Sequence, residues 1–297
     1  MSIISALFTF RNKAKKPSSA ASDVEMSFLD HLEELRWHLV RSLVAIAVGA
    51  IVLFFYISQF IEKVVLAPFS ATFPTNKFLC KLNPQLCFDK VNVIFIAISP
   101  YEQFLMAFTL SFVVGFVAAF PYIIWEIWRF IKPGLQKSEQ RKLRGNVFII
   151  SFLFFLGVFF SYYVITPFSV AFLSTFKIAE AVQNQWKIGE VIGLVTQITL
   201  GGAIFFELPI VIYYLTLLGV VNPQFLRAYR RHAIVILLII AAIITPPDIL
   251  SQVLIFMPLL MLYEISILIS AVVAKRQQKE MSVALARVET HENKVEK

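Results

Sequence analysis

The stretch VIGLVTQITLGGAIFFELPIVIYYLTLL, residues 191–218, decides the fold of this chain. It carries one charged residue, Glu207, and about 20 apolar residues are enough to cross the hydrocarbon core of a bilayer. The run does not alternate with period two, as a strand of a transmembrane barrel does. It therefore predicts a transmembrane helix, in which the backbone hydrogen bonds are satisfied internally.

Five further apolar runs share this character. Hydrophobic residues make up 58% of the 297 residues and charged residues 15%, whereas a soluble domain has about half and about a quarter. We therefore predict an all-α integral membrane protein with six transmembrane helices. The predicted spans are Ser42–Ile61, Phe104–Ile124, Val147–Ile165, Val191–Leu218, Ala233–Ile244 and Val253–Val273.

The last two spans look unusual for a bilayer. Ala233–Ile244 would be on the order of 18 Å long at 1.5 Å per residue, against a hydrocarbon core of about 30 Å. The sixth run contains Pro258 and Glu264. We predict short fifth and sixth spans, which thin the bilayer or are sheltered by neighbouring helices.

The loops alternate between rich and poor in Lys and Arg. The N-terminal segment, the second and fourth loops and the tail hold 21 of these residues, and the other three loops hold six. The positive-inside bias predicts that both termini lie in the cytoplasm. The net charge of +8 is explained by this topology, and we expect no nucleic-acid partner. We divide the chain into a disordered leader (1–26), a membrane domain (27–275) and a charged tail (276–297).

The segment before the first span has helical periodicity. Phe28, Leu32, Leu35 and Leu39 recur at helical spacing, and acidic residues occupy the other faces. One interpretation is an amphipathic helix that lies on the membrane surface. The other is a solvated run of charges with local i,i+3 and i,i+4 pairs.

Glu207 lies far from either end of the fourth span. An ionised carboxylate at mid-bilayer costs about 2.5–3.5 kcal/mol on insertion scales. Pro209, two residues later, removes a backbone donor and can kink the helix there. A protonated carboxyl group bonded to another helix is one interpretation, and substrate contact or proton handling is the other.

Polar residues also occur in two connections. The segment 130–144 holds Glu139 as its one acid among basic residues, which is typical of an exposed salt bridge. The turn ITPPDILSQ, residues 244–252, holds Thr245, Asp248 and Gln252. Such side chains either hydrogen-bond to another transmembrane helix or belong to simple turn chemistry.

Both cysteines, Cys80 and Cys87, lie in the first predicted outer loop. An oxidising compartment favours a disulfide, and two free thiols are the alternative. The sequence has no phosphate-binding or zinc signature, no histidines at metal spacing and no Ser/His or Asp/Asp set. We expect no metal, no cofactor and no enzymatic activity.

Several motifs, in order, resemble the TatC family, the polytopic receptor subunit of the twin-arginine protein translocase. They extend from about Met26 to Lys275 and fit six spans with both termini inside. The matching stretches are FLDHLEELRWHL (28–39), LAPF (66–69), SP (99–100), FIKPGLQKSEQR (130–141), FFELP (205–209) and TPPDILSQ (245–252).

The resemblance implies the function and the site. The family exports folded proteins whose signal peptides carry two adjacent arginines, and it uses the proton-motive force. By this resemblance Glu34 and Glu139 bind the arginine pair, Arg36 orients Glu34, and Phe130 packs near the site. Carboxylates suit this role because they accept bidentate hydrogen bonds from guanidinium.

The resemblance also implies roles for residues outside that site. Glu207 would face a concave groove in the membrane, Pro68 would shape the first outer loop, and Asp248 would belong to an outer functional loop. Thr245 and Gln252 would lie where single-span subunits of the TatA and TatB type dock. We expect an oligomeric complex in the bacterial inner membrane; an organellar membrane is the alternative.

A rival hypothesis is a proton- or ion-coupled transporter of small solutes, with Glu207 as the coupling group. Such transporters often show broken helices in repeated halves. The sequence has no convincing internal repeat and one mid-span carboxylate beside a proline. The pattern therefore favours the translocase.

Overall fold

The computed structural model describes residues 28–82, 93–132, 145–176, 179, 184–245 and 249–295. Internal contacts divide the chain into residues 1–37 and residues 38–297, and each unit is described by itself. The described part of the first unit is the beginning of helix α1. All other elements belong to the second unit.

Helices account for nearly all of the described residues. Two π-helical turns, Ile61–Val65 and Ser161–Ile165, and a 3-10 turn, Ala67–Phe69, continue or connect them. The α-helices are α1 Phe28–Phe55, α2 Ile57–Phe60, α3 Pro74–Leu82, α4 Glu102–Ile131, α5 Asn146–Phe160, α6 Thr166–Thr175, α7 Ile188–Phe205, α8 Leu208–Leu217, α9 Pro223–Ala228, α10 Arg230–Ile244 and α11 Ile249–Val295.

Five helical stretches are long and apolar enough to cross a membrane, judged by length and composition. They are Glu33–Phe55, Glu102–Ile131, Asn146–Thr175, Ile188–Leu217 and Ser251–Val283. The prediction of an all-α membrane protein is confirmed. The count of six spans, the orientation of the termini and the three-part division of the chain stay predictions.

The two spans predicted to be short behave differently. Helix α10 has 15 residues and is indeed short. The helix that holds the sixth predicted span is longer than that span, with 33 residues over Ser251–Val283, and the short length of the sixth span within the bilayer stays a prediction. Residues 274–283 include good helix formers such as Ala, Lys, Arg, Gln and Glu, so the helix continues where the predicted span ended.

Two other boundaries differ from the prediction. Helix α1 is uninterrupted from Phe28 to Phe55, so residues 28–39 are the first turns of the helix that holds the first span, and their place at the membrane surface stays a prediction. The periodic positions of that segment simply continue into the first span, with no Gly or Pro to end the helix. Helix α4 extends to Ile131 and includes residues 125–131, which the sequence assigned to a loop.

A short parallel ladder joins two distant segments. Strand β1, Ile94–Ile96, pairs with β2, Gln185–Lys187, in the register Ile94 with Gln185. Trp186 and Phe95 both approach the ring of Phe69 edge-on, at 5.5 and 5.3 Å between centroids. The ladder therefore ties the segment before α4 to the segment before α7.

Apolar side chains form three buried clusters between the helices of the second unit. One joins α7, α8, α10 and α11 and includes Ile198, Leu237 and Leu259. Another contains Phe120 of α4 stacked on Phe154 of α5, with ring centroids 3.6 Å apart and planes at 9°. Phe154 is completely buried, so this face of α5 packs closely on α4.

Small residues let the helices approach closely. A Cβ atom added at Gly115 of α4 would lie 2.7 Å from the backbone nitrogen of Ala50 in α1 and 2.8 Å from the carbonyl oxygen of Ile46. One added at Gly157 of α5 would lie 2.7 Å from the Cα atom of Ala203 in α7. Such contacts are typical of transmembrane helix interfaces.

Candidate functional site

A buried carboxylate marks the C-terminal end of α4. The side chain of Glu126 is 1% exposed, and its Oε2 atom contacts Nδ1 of His38 in α1. The hydroxyl of Tyr122, one turn earlier in α4, donates to Glu126 Oε1 at 2.8 Å. Buried charges need such partners, because an unpaired carboxylate in a low-dielectric interior is very costly.

Arg41 adds a positive charge to this cluster. Its NH1 atom lies 3.9 Å from Glu126 Oε2, and its side chain is 47% exposed. His38, by contrast, is buried. Glu126 is thus approached by a histidine and a guanidinium from α1 and by a phenol from its own helix. We call Glu126, His38, Tyr122 and Arg41 the Glu126 cluster.

The helical repeat of α4 brings Phe130 to the same cluster. Phe130 lies one turn after Glu126, and its ring meets the ring of His38 edge-on at 6.1 Å between centroids. Arg129 belongs to a separate contact, in which its guanidinium carbon lies 5.5 Å from the ring centroid of Trp125. His38 therefore contacts both Glu126 and Phe130, and Phe130 is the residue that the family resemblance implies to pack near the binding site.

The Glu126 cluster is not predicted by the sequence. Glu126 follows the predicted end of the second span and His38 belongs to the charged segment before the first span, and the sequence assigns neither of them a role in the site. The pair is separated by 88 positions in the chain. A carboxylate between Trp125 and Trp128 in an otherwise apolar run was the available signal.

Of the predicted acidic pair, Glu34 alone is among the described residues. Glu34 is half-buried and Arg36 exposed; both are in α1, in the unit formed by residues 1–37. Glu139 lies outside the described residues. The role of these residues in binding stays a prediction.

Glu207 lies where the fourth span breaks. Helix α7 ends at Phe205 and α8 begins at Leu208, so the predicted kink beside Pro209 is confirmed. Both carboxylate oxygens are buried and form no hydrogen bond of normal geometry within the described part of the chain, although the backbone of Phe154 faces them.

The helices also border an apolar pocket that is partly open. It has a volume of about 330 Å³ and lies between α4, α5 and α7, with Leu110, Val158, Tyr162, Val195 and Thr199 in its wall. Glu207 is not among the described residues that line it. The predicted groove at Glu207 stays a prediction.

The remaining predicted residues occupy turns and helix ends. Pro68 is buried in the 3-10 turn Ala67–Phe69. Thr245 is buried and donates to the carbonyl of Ala241 at 2.8 Å, and Gln252 donates to the carbonyl of Leu238 at 3.2 Å. Both polar side chains thus bond to α10, and their predicted role in docking partner subunits stays a prediction. Asp248 lies outside the described residues.

The cysteines are only partly described. Cys80 lies in α3, and no free cysteine occurs among the described residues. Cys87 lies outside them, so the pairing of the two cysteines stays a prediction.

Comparison with known proteins gives a consistent result. The family model for the Sec-independent protein translocase protein (TatC) matches residues 30–258. The Sec-independent protein translocase protein TatC of Blattabacterium sp. subsp. Periplaneta americana is 36% identical over 260 residues, covering 85% of this chain and 98% of that relative. The protein of the same name from Halalkalibacterium halodurans is 32% identical over 255 residues, covering 86% and 93%.

A solved structure agrees with these relatives. The crystal structure of the twin-arginine translocase receptor TatC superposes with a TM-score of 0.65 at 33% identity. The match covers 82% of this chain and 99% of that chain. Both the sequence and the fold of this chain are therefore similar to those of TatC proteins.

Proposed function

The chain belongs to the TatC family, and from this membership we propose that it binds the twin-arginine signal peptide of folded cargo through Glu34 and Glu139. It is a subunit of the twin-arginine protein translocase and not an enzyme. The observation that carries the proposal is the family match over residues 30–258. That range contains both acids and the motifs around them.

The chemistry of the two acids supports this role. An arginine guanidinium presents a planar fork of donors that a carboxylate accepts bidentately, which a lysine ammonium does not match. Exposed pairs contribute only about 0–1 kcal/mol each. The apolar segment of the signal must therefore supply most of the affinity from within the membrane, and the acids supply the selectivity for arginine.

The partners and the energy source complete the proposal. Single-span subunits of the TatA and TatB type assemble with the chain, and the proton-motive force drives export. The protein lies in a bacterial inner membrane, with both termini in the cytoplasm, where the Lys- and Arg-rich segments concentrate. The bacterial relatives are consistent with this location.

Export of a twin-arginine reporter tests the proposal. Glu139→Ala should abolish export in cells that express the partner subunits, while the protein still inserts at its normal level. Glu190→Ala is the matched control, because Glu190 is also an acid, 70% exposed and paired with Lys187 at 3.3 Å. Normal export by Glu139→Ala at normal protein level would remove Glu139 from the site.

No observation favours the solute transporter that the sequence left open. Its distinguishing result would be movement of a solute by the purified chain in vesicles under an imposed proton gradient. That experiment contains no partner subunit and no signal peptide. The translocase requires both.

A further inference from the structure

We infer that His38 and Glu126 are positioning residues for signal recognition, a role that rests on the proposed function. The pair fixes how α1 lies on α4 and thereby how the His38 ring lies against Phe130. Neither residue needs to touch the signal peptide.

The burial of the pair makes it a fixed contact. Both side chains are excluded from solvent, at 7% and 1% exposed, so water cannot replace the bond that either one loses. Tyr122 occupies Oε1 of Glu126 while His38 occupies Oε2. With both oxygens bonded, the carboxylate has one orientation, and it holds the imidazole in one orientation as well.

A second contact between α1 and α4 fixes the register of the two helices together with the pair. Gly49 of α1 lies against Gly115 of α4, where an added Cβ atom would be 3.1 Å from the Gly115 Cα atom. His38 precedes Gly49 by as many residues as Glu126 follows Gly115, namely about three helical turns. The two helices run antiparallel, so these contacts fix both their separation and their rotation about one another.

The histidine transmits this register to the predicted site. Its ring contacts Phe130 edge-on at 6.1 Å, and aromatic pairs of this geometry are directional. A shift of α1 along α4 would therefore move the imidazole away from Phe130.

A purely stabilising role would not require polar groups at this buried contact. Replacing a buried ion pair by apolar residues of similar volume is often neutral or stabilising. Buried polar groups at helix interfaces are best attested as devices that specify register. An apolar replacement that leaves stability intact therefore separates positioning from support.

The test uses the full chain in lipid nanodiscs. A fluorescent synthetic peptide carries two adjacent arginines followed by an apolar segment, and a second peptide has two lysines instead. The main variant is the apolar pair His38→Leu with Glu126→Met. Glu264→Met is the matched control, because Glu264 forms a bidentate pair with Arg230 at 2.9 Å between α11 and α10, away from the Glu126 cluster.

We expect the apolar pair to keep its thermal midpoint and to bind the arginine peptide about tenfold more weakly, the equivalent of about one lost hydrogen bond. The control should bind within about twofold of the unmodified chain. Unchanged affinity of the folded apolar pair would overturn the inference. The affinities of the unmodified chain for the arginine peptide and the lysine peptide are compared separately. Equal affinities would contradict the proposed function and not the positioning role.

A second comparison applies if the apolar pair does not accumulate. The exchanged pair His38→Glu with Glu126→His restores an acid–histidine contact across the same interface, and the single variant Glu126→His does not. The inference requires the exchanged pair to bind the arginine peptide at least about threefold more tightly than the single variant, which is a difference of less than one hydrogen bond. Equal affinities would contradict it.

Discussion

Substitution of Gly115 by alanine tests the close crossing of α1 and α4. The added Cβ atom would meet Ala50 N at 2.7 Å, Ile46 O at 2.8 Å and Ala50 Cα at 3.1 Å. All three are backbone atoms, so no side chain can rotate away. The helices must separate by roughly 0.7 Å to reach an ordinary contact of 3.4 Å.

The magnitude follows from two opposing terms. Overpacking a close contact costs about 1–3 kcal/mol, and the rigid backbone on both sides favours the upper half of that range. Alanine gains about 1 kcal/mol over glycine in helix propensity. The net expectation is a loss of about 1–2 kcal/mol, or a thermal midpoint lower by about 3–6 °C.

Gly193 provides the matched control. It lies within α7, and a Cβ atom added there has no neighbour within 4 Å. Gly193→Ala should therefore keep or raise the thermal midpoint, as followed by tryptophan fluorescence of the purified protein on heating. If Gly115→Ala is as stable as Gly193→Ala, the close crossing of α1 and α4 is refuted.

Three further predictions concern single contacts, and each is measured as a thermal midpoint of the purified protein. Phe154→Ala should lose about 3–5 kcal/mol, because a fully buried aromatic side chain leaves a cavity; a loss below about 1 kcal/mol would contradict the stacked core. Tyr263→Phe should lose about 1 kcal/mol with the buried bond to the carbonyl of Leu226 at 2.8 Å, whereas Tyr229→Phe, at an exposed tyrosine, should be neutral. A double-mutant cycle of Arg230→Ala and Glu264→Ala should give a coupling of about 0.5–1 kcal/mol, since both side chains are more than 40% exposed; strict additivity would show that the ion pair contributes nothing.

The membrane architecture was largely predictable because its signals are long. Apolar runs identify the spans, and a proline two residues after Glu207 explains why α7 and α8 are separate. The C-terminal end of α10 at Ile244 follows from Pro246, because the residue before a proline is biased away from the helical conformation. Each of these features acts over one or more helical turns within a single segment.

The features that escaped prediction depend on distant partners. Strands β1 and β2 have three residues each, which is too few for an alternating pattern to be recognised. Glu126 and His38 are separated by 88 positions, and each resembles an ordinary residue at the membrane interface. Only the antiparallel packing of α1 on α4 turns them into a buried pair.

The candidate site, like the fold, was predictable only in part. The resemblance to the family pointed to Phe130, and the fold shows which neighbour holds its ring. The resemblance does not point to His38, because it implies no role for that position. The contact depends on the register of two helices, which a single sequence does not display.

Binding of the arginine and lysine peptides to the purified full chain, with Glu34→Gln and Glu139→Gln as variants, is the most direct measurement of the central claim. The account predicts that the unmodified chain holds the arginine peptide at least about tenfold more tightly, a difference of about 1.4 kcal/mol, and that each variant loses most of this preference. Equal retention of both peptides by the unmodified chain, or an undiminished preference in both variants, would contradict it.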